Sequence, residues 1–308
     1  MALRAGLKFG AIDCGSNSVR CLAVLHRDGI LEYVDSGAWI TRLTEGIGSG
    51  EYRIAPKAVE RTAVAITEAK DLLERSGVGP ERTVFFATES LRSAANGAFA
   101  VAELERAAGL ALRVLGGEEE AALGRRGALL GTRGADCVFD LGGGSLEIGW
   151  DGSSLSIPAG AVRMKARFEE DRGKTGEEIL NLLAGKGIPS PEEVVGTGGT
   201  SSSIVMMLQG VPVTDYHPAR IHGYRVSAAE LDELAEKLVN TPVEDRMRIV
   251  GLDPKRADII VAGIFVIRTL LDLFRVSGYT HSETDLLWGV CAEKAVAEGL
   301  PVFSAKIG

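Results

Sequence analysis

The stretch Val138-Phe139-Asp140-Leu141-Gly142-Gly143-Gly144-Ser145-Leu146-Glu147 decides the fold of this chain. An apolar run ends in an acid, and three glycines, a hydroxyl residue and a second acid follow. This pattern predicts a strand, a tight turn and a returning strand. Glycines permit left-handed backbone and let successive N–H groups approach a ligand, so we expect a phosphate cradle formed by Gly142, Gly143, Gly144 and Ser145. A plain β-hairpin, whose glycines serve only the turn, is the competing interpretation.

An earlier segment repeats this pattern without gaps: Ile12-Asp13-Cys14-Gly15-Ser16-Asn17-Ser18-Val19-Arg20. The spacing between counterparts is constant, as Asp13 with Asp140 and Gly15 with Gly142 show. The repeat predicts two related half-domains. Arg20 stands where Glu147 stands in the second copy, so one loop brings positive charge and the other negative charge.

Length and composition are those of a soluble globular protein of about two domains. The 308 residues are 45% hydrophobic and 25% charged, and the net charge is −8. An acidic protein is a poor candidate for broad nucleic-acid binding or for an anionic membrane surface. The four cysteines lack zinc spacing and are predicted to be free thiols. The longest apolar stretch, residues 259–274, is too short and too charged to span a bilayer, so we expect a cytoplasmic protein.

Strands and helices alternate along both halves, which predicts an α/β fold. We expect a strand at Arg275–Gly278 and a final helix at Thr284–Glu298. The boundary is predicted in the helix after Glu120, which gives a first lobe of residues 1–125 and a second lobe of residues 126–308. Whether the C-terminal helix, at about residues 290–308, folds back onto the first lobe is left open.

Eight motifs resemble the exopolyphosphatase/guanosine pentaphosphate phosphatase (Ppx/GppA) family, a branch of the actin-like ATPase superfamily. In chain order they are IDCGSNSVR (12–20), TRLTEGIGSG (41–50), ATESLRSAANG (87–97), GGEEEA (116–121), FDLGGGSLEIG (139–149), GTGGT (196–200), HGYRVS (222–227) and RADIIVAG (256–263). The resemblance runs from Ile12 to about Gly263. The length is similar to that of the short, two-lobe members.

The resemblance implies two actin-like (ribonuclease H-like) lobes with a cleft between them. It also implies a homodimer and Mg²⁺-dependent release of terminal phosphate from inorganic polyphosphate, from guanosine pentaphosphate (pppGpp), or from both. Removal of a terminal phosphoryl group by water needs an in-line water, a base that orients it and positive groups around the transferring oxygens. The sequence offers a candidate for each role.

The acidic run Glu118-Glu119-Glu120-Ala121 resembles a family motif in which the acid before alanine is the proposed base. Glu120 is therefore the predicted base, and Glu119 is its alternate. A solvated acidic helix start is the competing interpretation. Arg92 matches the arginine of the family's Thr-x-x-x-Arg pattern, which grips a phosphate, although a lone helix arginine is more often a surface charge.

Four residues of the first loop are predicted to bind phosphate: Gly15, Ser16, Asn17 and Arg20. Asp13 and Asp140 end apolar strands, where a buried acid without a partner would be costly, so we expect them to contact a metal or water. Glu147 fits the same role, and a solvated acid at a strand edge is the alternative. These three acids would hold Mg²⁺ beside the phosphates.

The turn Gly196-Thr197-Gly198-Gly199-Thr200 lacks the lysine of a Walker A loop. It resembles the family's second-lobe turn, so Gly198, Gly199 and Thr200 are predicted to contact a nucleotide or a phosphate chain. A helix-opening turn is the competing interpretation. Some relatives carry a basic residue just after this turn, where this chain has serines. The chain also departs from a family Leu-Arg-Glu-Gly pattern at Leu286-Leu287-Trp288-Gly289.

Three functions fit these observations. The first is a hydrolase acting on polyphosphate, pppGpp or both. The second is a nucleotide-dependent phosphotransferase of the actin-like superfamily, which would need an acceptor, and the acids before Ala121 favour water instead. The third is a non-catalytic regulator that binds guanosine tetra- and pentaphosphate, against which the intact Glu120, Asp140 and Glu147 speak.

Overall fold

The computed structural model describes residues 6–45, 52–132, 134–188 and 190–308. Residues 46–50 of the TRLTEGIGSG motif lie outside the described residues. The strands up to residue 131 are β1 (Leu7–Cys14), β2 (Ser18–Arg27), β3 (Ile30–Ile40), β4 (Thr83–Ala87) and β5 (Leu112–Val114). The helices of this part are α1 (Pro56–Arg75), α2 (Glu89–Ser93), α3 (Gly97–Ala108) and α4 (Gly117–Gly131).

The next part of the chain repeats this alternation. Its strands are β6 (Cys137–Leu141), β7 (Leu146–Trp150), β8 (Ser153–Ile157), β9 (Val194–Thr197), β10 (Arg225–Ser227) and β11 (Gly278–His281). Its helices are α5 (Ala161–Phe168), α6 (Arg172–Leu183), α7 (Gly199–Gln209), α8 (Pro218–Ile221), α9 (Ala228–Val239), α10 (Val243–Arg246) and α11 (Ile260–Phe274). Helix α12 (Leu286–Ala297) and strand β12 (Ser304–Lys306) follow, and short 3₁₀ turns lie at Pro80–Arg82, Val213–Asp215 and Pro254–Arg256.

The chain forms two compact units, one of residues 1–131 with 284–308 and one of residues 132–283. The unit boundary thus lies a few residues after the expected division at residues 125 and 126. The last 25 residues belong to the first unit rather than to the second because α12 packs against α4 and β1, and β12 extends the sheet beside β3.

Each unit is built on one mixed sheet, and five strands have the same order in both sheets, since β3-β2-β1-β4-β5 corresponds to β8-β7-β6-β9-β11. The sixth strand lies at opposite edges, with β12 beside β3 and β10 beside β11. In the first unit the described strands run β12-β3-β2-β1-β4-β5, and in the second they run β8-β7-β6-β9-β11-β10. Strands β1 and β6 each pair with an antiparallel hairpin partner on one side and with a parallel strand on the other. This correspondence confirms the predicted α/β class and supports the internal repeat.

Both faces of the first sheet are buried, and alternate residues of its strands serve each face. Along β2, Val19 and Cys21 belong to the apolar cluster with α1 and α3, whereas Leu22 and Val24 belong to the cluster with α12. This alternation follows from the two-residue period of a strand. The near-continuous apolar run of β2 is therefore typical of a strand that is covered on both sides.

The second unit has one large core to which β6, β9 and most of α11 contribute. The predicted strand at Arg275–Gly278 is wrong, because α11 ends at Phe274 and Arg275 caps it with a left-handed φ of 59°. The strand begins only at Gly278. The final helix, predicted at Thr284–Glu298, covers residues 286–297 and begins after Asp285, whose side chain accepts a hydrogen bond from the Leu287 N–H.

Helices α4 and α12 of the first unit cross at glycines. A Cβ atom at Gly127 would lie 1.8 Å from the Asp285 carbonyl oxygen, and one at Gly289 would lie 2.0 Å from the Leu123 carbonyl oxygen. Only glycine permits this approach of two backbones. The four cysteines are buried free thiols, as predicted. Within the described ranges, no helix has the length and apolar character needed to cross a membrane.

Candidate active site

Three predicted motifs meet at one edge of the first unit's sheet. Strands β1, β4 and β5 are parallel neighbours. Each is followed by a motif: the loop after Asp13, the segment Thr88–Arg92 and the start of α4 at Gly117. Because the carboxyl ends of parallel strands lie at the same edge, the fold gathers these motifs where α/β proteins bind ligands. The motifs are separated in the sequence, and the sheet brings them together.

Glu120 and Arg92 are neighbours at this edge. The Arg92 Nη1 lies 3.4 Å from the Glu120 Oε2, and it also donates to the Leu115 carbonyl. Glu120 is only 6% exposed although it lies in the first turn of α4. The predicted base and the predicted phosphate-gripping arginine are thus in direct contact.

Glu119 has a different environment from Glu120. It is exposed and forms an ion pair with Arg113, which also pairs with Glu293. The hydrogen bond from Arg113 lowers the pKa of Glu119. The Glu119 carboxylate is therefore held in a surface ion-pair network, and of the two glutamates Glu120 occupies the buried position.

Arg20 is held between two carboxylates. It donates to the Asp13 Oδ2 from Nη2 at 2.7 Å and from Nε at 3.2 Å, and its Nη1 donates to the Asp285 Oδ2. Asp285 is a member of the site that the sequence did not reveal, because it lies far along the chain at the start of α12. The guanidinium predicted to bind phosphate is thus already engaged by two acids of its own unit.

Several buried polar atoms near this edge have no hydrogen-bond partner. They are the Asp13 Oδ1, the Asn17 Nδ2 and the Ser90 Oγ. Burial raises the pKa of Asp13, against the opposing influence of Arg20. Buried polar groups in folded proteins are nearly always satisfied, so unpartnered atoms concentrated at one edge indicate positions at which a ligand or water would supply the missing contacts.

The backbone of the first loop is fixed by the segment that follows β3. The Gly15 N–H donates to the Ser18 carbonyl at 3.0 Å. The Asn17 carbonyl accepts from the N–H groups of Thr41 and Arg42, and the Ser16 carbonyl accepts from the Thr44 N–H. Because N–H and C=O point in opposite directions across a trans peptide, the N–H groups of Asn17 and Ser18 point away from this segment.

The second loop has the same internal bond and a different support. The Gly142 N–H donates to the Ser145 carbonyl at 3.1 Å, as Gly15 does to Ser18. The carbonyls of Gly142 and Gly143 accept from backbone N–H groups at the start of α5, and the Gly144 carbonyl accepts from the Arg163 Nε. The N–H groups of Gly143, Gly144 and Ser145 therefore point away from α5, in the manner of an anion cradle.

Two details of the predicted cradle need correction. The Gly142 N–H is used within the loop, so Gly142 does not offer its amide to a ligand. The three glycines do not have positive φ angles. A close contact behind the loop depends instead on Gly160, since a Cβ atom there would lie 2.3 Å from the Gly143 carbonyl carbon.

The predicted metal ligands divide between the units. Asp140 and Glu147 are directly opposite on β6 and β7, so their side chains share one face of the second sheet. Glu147 is 4% exposed and its Oε1 accepts from the Ser156 hydroxyl at 2.7 Å. Within the described part of the chain no group of three or more potential ligands forms a metal cluster. Mg²⁺ binds through one or two carboxylates together with waters and substrate phosphates, so the pair of Asp140 and Glu147 fits this ion.

The turn before α7 is shaped by two glycines. Gly198 has a φ of 93°, and a Cβ atom there would lie 2.7 Å from the Asp140 Oδ1. A Cβ atom at Gly199 would lie 2.4 Å from the guanidinium of Arg256. The side chain of Thr200 is buried and faces Gly263 of α11, so a contact between Thr200 and a ligand would use its backbone. The sequence supplied Arg256 within the RADIIVAG motif but gave it no role.

A buried network supports this turn. The Ser201 hydroxyl lies 2.7 Å from the His281 Nδ1, and the His281 Nε2 lies 2.8 Å from the Glu283 Oε1. Burial acts to raise the pKa of Glu283, but hydrogen bonds from His281, Tyr216 and Ser202 hold it below its usual value. Ser201 is fully buried and cannot reach a substrate. The serine, histidine and glutamate thus fix α7 to β11 rather than form a nucleophile.

Comparisons with known proteins identify the family of the chain. Residues 23–297 match the Ppx/GppA phosphatase family. The chain is 33% identical to Exopolyphosphatase 2 of Mycobacterium tuberculosis (strain ATCC 25618 / H37Rv), in an alignment that covers 94% of this chain and 98% of that protein.

Solved structures show the same fold. A Ppx/GppA family member from Aquifex aeolicus is 26% identical with a TM-score of 0.76, over 95% of this chain and 99% of that chain. An exopolyphosphatase from Cytophaga hutchinsonii is 23% identical with a TM-score of 0.82, over 97% and 100%. These likenesses confirm that the two units have the predicted actin-like fold. The chain belongs to the Ppx/GppA phosphatase family.

Proposed function

We propose that the protein is a Mg²⁺-dependent exopolyphosphatase that releases terminal orthophosphate from inorganic polyphosphate. The name of the Mycobacterium tuberculosis relative supports this substrate. The observation that carries the proposal is the buried Glu120 in contact with Arg92, at an edge where the Asp13 Oδ1, the Asn17 Nδ2 and the Ser90 Oγ lack partners. That edge offers a base, a cation and unsatisfied polar groups together.

In this proposal Glu120 orients a water for in-line attack and accepts its proton. Arg92 lies close enough to hold the terminal phosphate beside that water, because its Nη1 is 3.4 Å from the Glu120 Oε2. The N–H groups of Gly143, Gly144 and Ser145 offer hydrogen bonds to phosphate oxygens. Arrangements of fixed donors of this kind stabilise charge that develops in the transition state.

We propose carboxylate ligands for Mg²⁺ in each unit taken by itself: Asp13 in the first unit, and Asp140 with Glu147 in the second. Asp13 contributes a buried carboxylate oxygen without a partner, and Asp140 and Glu147 contribute two carboxylates on one sheet face. When bound, Mg²⁺ would neutralise negative charge on the phosphates.

Replacement of Glu120 tests the assignment of the base. We expect Glu120→Gln to lower kcat for phosphate release about 10²- to 10⁴-fold, the usual contribution of a general base. Glu119→Gln is the matched control, because the Glu119 carboxylate is exposed and paired with Arg113. The kcat of this variant should stay within about twofold of wild type. Full Mg²⁺-dependent activity of the Glu120→Gln protein would show that Glu120 is not the base.

Substrate identity needs a separate experiment. The purified protein is incubated with Mg²⁺ and, in separate reactions, polyphosphates of several lengths, pppGpp, ATP and ADP, and released phosphate is measured. Release from polyphosphate supports the proposal, and release from pppGpp would extend it to the second family substrate. A requirement for an acceptor would indicate a phosphotransferase, and tight binding of pppGpp without turnover would indicate a regulator.

A homodimer and a cytoplasmic location remain proposals drawn from the family resemblance and the composition.

A further inference from the structure

We infer that Asp285 determines how tightly the proposed site binds an anionic substrate, because its carboxylate competes with phosphate for Arg20. The inference rests on the proposed function and on the phosphate-binding role that the sequence predicts for Arg20. It assigns to the start of α12 a role in substrate affinity that the sequence motifs did not suggest.

The geometry around Arg20 carries the first step. Its guanidinium donates to the Asp285 Oδ2 through Nη1 and to the Asp13 Oδ2 through Nε and Nη2. The Asp285 and Asp13 side chains are 10% and 6% exposed, whereas that of Arg20 is 22% exposed. Arg20 therefore has the most accessible side chain of the three. An anion that approached it would meet a guanidinium already bound by two carboxylates.

The charge count carries the second step. One guanidinium between two carboxylates gives the cluster a net charge of −1 if all three are ionised, and the partly exposed Arg20 leaves an approaching anion subject to this charge and to its screening by salt. A phosphate oxygen is a carboxylate-like acceptor for the arginine fork. Binding of phosphate to Arg20 therefore requires either displacement of Asp285 or the close approach of like charges, and both lower the affinity for the anion.

The position of Asp285 is fixed by its own helix, which makes the competition a built-in property of the first unit. The Asp285 Oδ1 accepts from the Leu287 N–H at 3.0 Å as the N-cap of α12. The residues that follow, Leu286, Leu287 and Trp288, are buried in the apolar cluster that includes Phe9 of β1. Asp285 thus cannot move away from Arg20 by a simple shift of a loose segment.

A capping role alone is the competing explanation, and one substitution separates the two. Asparagine caps helices as well as aspartate does but carries no charge. Asp285→Asn therefore keeps the cap of α12 and removes the competitor for Arg20. Asp171→Asn is the matched control, because Asp171 caps α6 in the same way, by accepting from the Lys174 N–H at 2.9 Å, in the second unit.

The experiment measures KM and kcat for polyphosphate at several salt concentrations for the wild type and both variants. Asp285→Asn should lower KM about three- to tenfold at low ionic strength, and the difference should shrink as salt screens the charge. Asp171→Asn should leave KM unchanged. An unchanged or raised KM for a folded Asp285→Asn protein would overturn the inference. Should that variant unfold, Asp285→Ser, which also caps well, takes its place with the same expected outcome.

A double variant identifies the group for which Asp285 competes. Arg20→Gln with Asp285→Asn should bind polyphosphate more weakly than Asp285→Asn alone, because the anion then lacks the guanidinium. Equal affinity of the two proteins would show that Arg20 is not the contested group and would overturn the inference.

Direct binding separates failure of this inference from failure of the proposed function. If the wild type releases no phosphate from any polyphosphate, the proposed function is wrong. The affinity for tripolyphosphate is then measured by calorimetry, and Asp285→Asn should still bind it more tightly than the wild type. Equal affinities would overturn the inference. If the wild type is active and Asp285→Asn matches it at every salt concentration, only the inference is wrong.

Discussion

The loop between Asp13 and Arg20 in the first unit and the loop between Asp140 and Glu147 in the second share a backbone frame but carry different charges. Both contain a glycine N–H that donates to the carbonyl three residues later. In the first loop the closing residue is an arginine bound to two acids, and in the second it is a glutamate that accepts from a serine. A repeated turn can thus keep its geometry while its side chains take opposite electrostatic roles.

The largest expected effect comes from removal of the charge that closes the first loop. Arg20→Gln leaves Asp13 and Asp285 buried beside each other without their shared cation, and we expect a loss of about 3 kcal/mol in the free energy of unfolding. Glu147→Gln should cost about 1 kcal/mol, because a glutamine oxygen can still accept from Ser156. Urea unfolding followed by circular dichroism compares the two. Equal losses would mean that the two closing residues stabilise their loops alike.

A smaller effect is expected from filling the contact behind the second loop. Gly160→Ala places a Cβ atom against the backbone of Gly143, where a shift of the loop is required, and should destabilise the protein by about 2 kcal/mol. Gly124→Ala is the control, because a Cβ atom there has no atom within 4 Å and alanine favours helix α4. Thermal unfolding measures both. A neutral Gly160→Ala would show that the second loop is not supported by this contact.

The smallest effect concerns the glycines that occupy equivalent positions in the two loops. A Cβ atom at Gly15 would lie 3.1 Å from the Ser18 carbonyl oxygen, whereas one at Gly142 would lie 3.5 Å from the Ser145 carbonyl oxygen. Alanine reduces the entropy of the unfolded chain at either position. We therefore expect Gly142→Ala to be neutral or slightly stabilising. The free energy of unfolding of the Gly15→Ala protein should be lower than that of the Gly142→Ala protein by about 1 kcal/mol. The reverse order would contradict the difference between the loops.

The sequence was informative where local patterns determine structure. Short apolar runs bounded by turn residues predict β1, β2 and the hairpin of β6 and β7, because such runs are typical of buried strands. The end of α11 is not evident from the sequence, because Arg275 adopts a left-handed conformation that a non-glycine residue rarely takes. The short edge strands β10 and β12 carry too few residues to show a period, and pairing with a distant strand creates them.

The candidate site was predictable in its motifs and unpredictable in its long-range partners. The family resemblance favours Glu120 over Glu119 as the base, and burial in the fold distinguishes the two glutamates. Asp285 shares a guanidinium with Asp13 but lies at the other end of the chain, and no local pattern links the two. The engaged Gly142 N–H likewise depends on hydrogen-bond geometry that glycine content does not specify.

The return of residues 284–308 to the first unit has a consequence for synthesis on the ribosome. Strands β1 to β5 emerge early, but the apolar cluster on one face of their sheet needs Leu286, Trp288 and Cys291 of α12. These residues are made only after the whole second unit. One face of the first sheet therefore stays uncovered while residues 132–283 are translated, and a nascent chain with an exposed apolar sheet face is a natural client for chaperones.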